Sequence, residues 1–482
     1  MMARPLSELV HQALDLDPMI QAITADSRKA GPGVLFAALP GTKVDGASFI
    51  PAAIAAGAAA ILAGPEVPDQ CVPVIRVSDT RRAYALAAQA LYERQPRVCV
   101  AVTGTNGKTS VATFCRQIFE ALGHKAASMG TLGVTAMGQQ LTPPGLTTPD
   151  AADVAEMMAS LADMGVTHMA LEASSHGIDQ RRLDGVNLTA AAFLNLTQDH
   201  LDYHGDMASY GRAKLRLFDT LLPRAGTAVL NADSDAFGLF AAAAVMAGQT
   251  VMSVGERGQS LTLKSRQLLP SGQRLVVGFG AGEMTIDLPL AGAFQAANAL
   301  AAAGLCIAAG EDPEAVLAAL GHLQGAPGRL QRVGTGPDGG EAYVDYAHTP
   351  DGLETVLAAL RPHTQGRLIV VFGAGGDRDR GKRPQMGEIA SRLADIAIVT
   401  DDNPRSEDPA AIRAAILVAA PGALDIGDRR AAIVHAASLL RQGDVLVVAG
   451  KGHEHGQTVA GVVHPFDDVR ETALALGLEA PQ

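Results

Sequence analysis

Ala101-Val-Thr-Gly-Thr-Asn-Gly-Lys-Thr-Ser110 is the stretch on which the fold turns. A short, apolar, β-branched run over 98–102 precedes it and suits a buried parallel strand; a periodic, helix-like segment from Thr109 to residue 122 follows. Gly104 and Gly107 let the backbone turn sharply and come close to a ligand. Backbone N–H groups at such a helix start point at an anion, Lys108 can reach phosphate oxygens, and the Thr109 hydroxyl can ligate Mg²⁺. The general phosphate-loop pattern wants glycine six residues before the lysine, where Val102 stands, so Gly104 makes a tighter variant. The stretch therefore predicts a strand, a nucleotide-phosphate cradle and a helix.

Working outward, the same alternation recurs. A helix over 149–164 leads to a strand over 167–171 that delivers Glu172-Ala-Ser-Ser-His-Gly177. A strand over 190–194 delivers Asn195-Leu-Thr-Gln-Asp-His200-Leu-Asp-Tyr-His204. Strand–helix–strand alternation implies a parallel sheet with ligands at the strand C-termini, which places Glu172 to hold a nucleotide's Mg²⁺ and favours metal or phosphate chemistry for the His200 loop. The next helix pattern puts Leu215 and Phe218 toward the core, and spacing alone leaves Lys214 solvated. Residues 260–290 alternate like a hairpin, and an Ala-rich helix over 293–309 carries Asn298, which reads either as a core amide or as a reader of a base. Strands over 342–344, 368–372, 396–399 and 445–448 then predict a second, doubly wound sheet. Its strand ends carry Asp345-Tyr-Ala-His348, the Gly-rich segment through Arg378 and Lys382, Asp402-Asn-Pro-Arg405 and Gly450-Lys-Gly-His-Glu454. Upstream of the cradle, a strand over 33–39, a helix over 50–56, a strand over 59–63 and a helix over 80–92 form a first unit. Its Asp26-Ser-Arg28 and Gly41-Thr-Lys-Val44 segments read as turn chemistry on spacing alone.

Composition bounds the function. A chain of 482 residues exceeds one core, so about three domains are expected. The 52 glycines favour tight βα turns in an α/β fold. A net charge of −12 argues against a nucleic-acid surface and against a basic membrane patch. Cys71, Cys99, Cys115 and Cys306 are far apart, which suggests neither a Cys-based zinc site nor a disulfide framework and fits a reducing cytoplasm. The first residues meet Glu8 and Asp15 before any apolar run long enough for a signal peptide, so a cytoplasmic location is expected. Two charge-free stretches, 46–65 and 288–310, reach membrane-helix length, yet Pro51, Gln295 and Asn298 within them favour buried Ala-rich segments.

Gly104-Thr-Asn-Gly-Lys-Thr109, Glu172 to Gly177, Asn195 to His204 and Asp345-Tyr-Ala-His348 together resemble the ATP-dependent Mur ligases of bacterial cell-wall precursor synthesis, nearly end to end. Within that family, Leu146-Thr-Thr-Pro149, the segment around Lys214, Asp402-Asn-Pro-Arg405 and Gly450-Lys-Gly-His-Glu454 resemble the branch adding diaminopimelate as third amino acid. The resemblance implies an α/β chain of three domains: a UDP-sugar domain (1–95), a central P-loop ATPase domain with a parallel sheet (96–326) and a C-terminal, doubly wound, Rossmann-like amino-acid domain (327–482). It implies ATP as co-substrate and Mg²⁺ as cofactor, with UDP-MurNAc-L-Ala-D-Glu and meso-diaminopimelate as substrates of a monomer. It further implies that Ala25, Ser27, Thr42, Lys43 and Val44 contact the UDP end, and that Thr147, Thr148, Ser174, Gln180 and Arg182 hold the muramoyl-peptide portion. Gly104, Thr105, Asn106, Gly107, Lys108, Thr109 and Ser110 would cradle ATP, joined by Asn298, Arg329, Asp345 and His348; Thr109, Glu172 and His200 would surround magnesium. Arg378, Asp402, Asn403, Pro404, Arg405, Gly450 and Glu454 would bind diaminopimelate, Arg405 gripping the distal carboxylate that lysine lacks. Lysine-adding relatives lack that arginine. For Lys214 the resemblance overrides the solvated reading: its counterpart is a carbamylated lysine whose added carboxylate helps place a second Mg²⁺. The central helix departs from its relatives, with Gln295 where asparagine is usual. A nucleotide-gated switch is disfavoured because Asn231-Ala-Asp233 is not the Asn-Lys-x-Asp base reader of a GTPase.

Overall fold

A computed structural model describes residues 3–41, 44–269 and 272–479. Thr42 and Lys43, expected at the UDP end, lie outside the described residues. The chain is mixed α/β and divides into two compact units, one made of residues 1–261 and 301–316, the other of 262–300 and 317–482.

The first unit opens with four parallel strands, β1 (Ala22–Thr24), β2 (Val34–Ala37), β3 (Ala60–Ala63) and β4 (Val74–Arg76), in that order across the sheet. Helix α1 (Thr80–Tyr92), capped by Asp79, packs on them through Tyr84, Ala88 and Leu91. The predicted strand β5 (Val98–Thr103) is buried at every residue, and helix α2 (Lys108–Ala121) follows it after the loop. Strands β6 (Ala126–Gly130), β7 (His168–Glu172), β8 (Ala190–Phe193), β9 (Thr227–Asn231) and β10 (Thr250–Gly255) complete a parallel array of order β6-β7-β5-β8-β9-β10. Consecutive apolar runs such as Ala190–Phe193 are what a strand covered on both faces requires. Helix α3 (Ala151–Asp163) begins where Asp150 accepts a hydrogen bond from the Ala152 N–H, and the Tyr84 hydroxyl donates to the same carboxylate at 2.5 Å, joining α1 to α3.

In the second unit the predicted hairpin region forms antiparallel strands, β11 (Gly272–Phe279) against β12 (Gly282–Leu288). The C-terminal sheet has β13 (Gln331–Thr335) antiparallel to β14 (Glu341–Asp345), then β17 (Val445–Ala449), β15 (Leu368–Phe372) and β16 (Ile396–Val399), all parallel to β14. It is doubly wound, with separate apolar clusters on its two faces.

Helix α4 (Met207–Arg216) runs on into a π-helical turn over Leu217–Leu221; Phe218 is buried as expected, Leu215 packs half-buried against the same core, and Leu217 is buried beside them. One expectation is corrected. Lys214, solvated on spacing alone, is only 1% exposed. Of the two charge-free stretches, 46–65 divides into a 3-10 turn, a short helix and β3, and 288–310 forms the buried helix α5 (Ala293–Ala308). Among the described residues no helix is long and apolar enough to cross a membrane.

Candidate active site

Strand register assembles the first half of the site. Glu172 pairs with Val102 and Phe193 with Thr103, so the ends of β7 and β8 flank the loop that leaves β5. Gly107, at φ +91°, caps α2 in a conformation only glycine adopts without strain. A Cβ at Gly104 would stand 2.9 Å from the Leu194 side chain, which is why the loop needs glycine there as well. The Thr105 N–H donates to the Asn195 carbonyl (3.0 Å), the Asn106 N–H to the Asn195 side chain (2.9 Å) and the Thr197 N–H to the Thr105 hydroxyl (3.0 Å). The cradle is thereby stitched to the loop that carries His200. Lys108 curls back, its Nζ donating to the Gly104 and Thr105 carbonyls at 2.8 and 2.9 Å.

Glu172, 3% exposed, accepts from the Thr109 hydroxyl (3.0 Å), the Thr131 N–H (2.9 Å) and the Thr131 hydroxyl (3.3 Å). A hydroxyl and a carboxylate oxygen side by side form a hard oxygen donor set that fits Mg²⁺. Thr131 was not anticipated; its position just after β6, on the same sheet edge as Glu172, was the available signal. Lys214 Nζ donates to the Gly104 carbonyl at 2.9 Å and lies 4.4 Å from the centre of the Tyr210 ring. Burial, then the nearby Lys108 charge, hold its pKa well below the ordinary lysine value, which favours the neutral, nucleophilic amine. His200 caps the short helix after Asp199 with φ +52°, its ring edge-on to His176 at 4.9 Å. Within this loop Asp199 pairs with His200 at 3.4 Å, while the His204 ring turns to Ser175 (3.0 Å).

The five residues expected to hold the muramoyl peptide form one network with Glu172. Thr147 and Thr131 hydroxyls are 3.0 Å apart; the Thr148 hydroxyl donates to the Glu172 carbonyl (2.8 Å) and accepts from the Ser174 N–H (3.0 Å). Arg182 donates to the Thr148 carbonyl (2.6 Å) and to Gln180 (2.8 Å). A cavity of about 510 Å³ lined by Gly130, Pro143, Leu146, Asp150 and Met157 adjoins this segment in sequence. Ala25 and Ser27 follow β1, where Asp26 caps the turn and pairs with Arg28; Val44 is exposed.

In the second unit, Asn298 donates to Gln295 (3.2 Å), which donates to the Arg329 carbonyl (3.3 Å), so the longer glutamine amide bridges helix and loop. Asp345 is occupied by backbone, accepting from the Leu330 and Ala347 N–H groups at 2.6 and 2.8 Å, and burial pushes its pKa up to about 6. Arg329 stacks 4.9 Å from the Tyr346 ring, and His348 is held by the Tyr346 carbonyl (2.8 Å). The loops after β16 and β17 meet: buried Lys451 donates to Asn403 and Glu454 at 3.1 Å each and lies 3.8 Å from Asp402, while Asn403 donates to Glu454 at 2.9 Å. Burial raises the Glu454 carboxyl, but Lys451 and Asn403 outweigh it and leave the pKa below the usual range. Asp402 Oδ1, the oxygen 3.8 Å from Lys451, is buried and has no hydrogen-bond partner among the described residues. Pro404 is buried, Arg378 is exposed, and Gly450, at φ +124°, brings the β17 loop against Asp402. Half-buried Arg405, at φ +53°, donates Nη1 to the Gly376 carbonyl (2.7 Å). Fully buried Arg429 clamps this floor through Asp468 and the Ala449 carbonyl (2.9 Å). Sequence reading missed Arg429 and left Lys451 without a role, although Lys451 lies inside a motif it singled out.

A glycine-turned anion cradle beside a carboxylate and a buried lysine, in a chain that also holds a doubly wound sheet with a charged loop cluster, defines a nucleotide-binding α/β protein. Family models described as Mur ligase family, catalytic domain, Mur ligase middle domain, and Mur ligase, glutamate ligase domain match residues 19–92, 102–306 and 328–452. The UDP-N-acetylmuramoyl-L-alanyl-D-glutamate–2,6-diaminopimelate ligase of Caulobacter vibrioides is 70% identical, over 99% of this chain and 100% of the relative. A solved structure of a ligase with the same name superposes with a TM-score of 0.76 at 34% identity, covering 99% of both chains. The MurF ligase of Thermotoga maritima in complex with ADP shares the fold, with a TM-score of 0.62 at 18% identity over 95% of this chain and 97% of that one. The chain belongs to the Mur ligase family.

Proposed function

We propose that this chain joins meso-2,6-diaminopimelate to UDP-N-acetylmuramoyl-L-alanyl-D-glutamate in the cytoplasm, as a monomer, driven by ATP and serving peptidoglycan synthesis. The observation that carries this reading is the single sheet edge on which Lys108, Thr109, Glu172 and Lys214 surround the cradle beside the Thr147–Arg182 network. The 70% identity to a ligase of that name supports the choice of substrates. Residues 1–95 would take the UDP end through Ala25, Ser27 and the loop to Val44, 96–326 the phosphates, and 327–482 the amino acid.

In the first step a γ-carboxylate oxygen of D-glutamate attacks the γ-phosphorus of ATP, and ADP leaves. The diaminopimelate amine then attacks the acyl carbon, loses its proton, and phosphate departs as the amide forms. Lys108, swung from the loop carbonyls, neutralises phosphate charge, and the cradle N–H groups orient the phosphates. Thr109, Glu172 and His200 would hold Mg²⁺, which when bound supplies further charge neutralisation. Lys214, whose burial disfavours the ammonium, is suited once deprotonated to add CO₂ through its amine and release a proton, giving a carbamate that would act as one more carboxylate. Asn298, Arg329, Asp345 and His348 would shape the nucleotide side of the second unit, while Asp402, Asn403, Arg405, Gly450 and Glu454 receive the amino acid. The orphan Asp402 oxygen suits its ammonium group, and Arg405 its distal carboxylate.

Phosphate release tests the reading. With the UDP-dipeptide, ATP and Mg²⁺, meso-diaminopimelate should sustain turnover, and L-lysine or no amino acid should not. Turnover with lysine alone overturns the specificity, and turnover indifferent to amino acid overturns ligation.

A further inference from the structure

Strand β7 ends at Glu172 but begins at His168, about 13 Å away at the rise of an extended strand, on the opposite edge of the sheet from the cradle. There three loops meet. His124 follows the end of α2, His168 opens β7, and Glu311 follows α5. Glu311 Oε1 lies 3.0 Å from His124 Nε2 and 3.5 Å from His168 Nε2, and the three ligand atoms all fall within 4.8 Å of one another. We propose that His124, His168 and Glu311 form a binding site for one divalent transition-metal ion of the zinc class, separate from the ligation site.

The donor set is two imidazoles and a carboxylate, with a fourth position left for water. Zinc bonds of about 2.0–2.1 Å in a tetrahedron place neighbouring donors about 3.4 Å apart, close to the two carboxylate–imidazole separations of 3.0 and 3.5 Å. The hydrogen-bonding of His168 fixes its orientation in the sense a ligand needs. The Thr167 hydroxyl lies 3.4 Å from the Lys125 carbonyl and 2.8 Å from His168 Nδ1, so by donating to the carbonyl it can accept the Nδ1–H of the tautomer a metal at Nε2 requires. In that tautomer the Nε2 lone pair faces the Glu311 oxygen 3.5 Å away, an arrangement that a cation between them stabilises. His168 is 1% exposed against the Phe119 ring at 4.6 Å, an environment that disfavours the imidazolium. His124 and Glu311 side chains are 29% and 18% exposed, which leaves a path for entry from solvent.

The test is zinc binding to the full chain in excess Mg²⁺, by competition with a chromogenic chelator, with Co²⁺ absorption as a second readout. Wild type should bind one equivalent and show visible cobalt bands. His124→Ala and Glu311→Gln, both at partly exposed positions, should weaken that equivalent by about tenfold or more while Mg²⁺-dependent phosphate release persists. Zinc stoichiometry and affinity unchanged in both variants, or no stoichiometric zinc in wild type, overturns the site and leaves Glu311 as a shared hydrogen-bond acceptor.

Discussion

Lys214 places an amine in the interior with the Gly104 carbonyl and the Tyr210 ring for company, and among the described residues no carboxylate lies within ion-pair distance. An ammonium so placed is costly, and the depressed pKa is the physical consequence. The proposed carbamate would convert this liability into a group the reaction can use. Lys214→Ala should therefore lose about a hundredfold or more in kcat while folding normally, and added short carboxylates such as formate or acetate should restore part of it. Full activity of Lys214→Ala in the phosphate-release assay would remove the carbamate from the mechanism. Lys214 shares the buried helix face of Tyr210, Leu217 and Phe218, but a lysine at such a position reads as solvated by residue type, and the β5 loop that receives its amine is distant in sequence. By contrast Glu172 and the cradle were legible, since a parallel strand dictates where its last side chain emerges.

At the scale of elements, the alternation of apolar runs and capped helices placed β5, β7 and β8 of the first sheet and β14, β15, β16 and β17 of the second within a residue or two, because short buried strands have few other readings, while β6, β9, β10 and β13 carried no expectation. What it could not supply was how neighbouring strand ends interlock. Gly130 shows this. It ends β6, and a Cβ there would stand 2.0 Å from Glu172 Oε1 and 2.4 Å from its carboxyl carbon. The side-chain end can yield where backbone could not, so Gly130→Ala should keep the fold but push Glu172 away from Thr109 and Thr131. The expected outcome is a fall in kcat of about tenfold to a hundredfold with little change in thermal midpoint. A variant that keeps wild-type kcat would show that the position of Glu172 is not limiting. The π-turn after α4 is a similar case: the residues that widen it are ordinary, and only packing buries Leu217 fully beside half-buried Leu215.

Across the whole molecule, the cradle belongs to the first compact unit and the Asp402–Arg405 and Gly450–Glu454 loops to the second, so the proposed function assigns phosphate chemistry and amino-acid choice to different units. That separation has a kinetic signature. Arg405 is posed by its own backbone, whose N–H donates to the Thr458 carbonyl (3.0 Å) and whose carbonyl accepts from Ala460 (2.6 Å), while one guanidinium nitrogen is held by Gly376. A fork held this way presents its remaining donors at little entropic cost, and charged hydrogen bonds of that kind contribute about 1.5–3 kcal/mol. Arg405→Ala should raise the KM for meso-diaminopimelate by about tenfold to a hundredfold and leave the KM for ATP and for the UDP-dipeptide within about twofold. Arg405→Lys should recover little, because an ammonium cannot reproduce the bidentate grip. If Arg405→Ala instead weakens ATP and diaminopimelate alike, the arginine serves the integrity of the unit, and selectivity must come from the Asp402, Lys451 and Glu454 cluster beneath it.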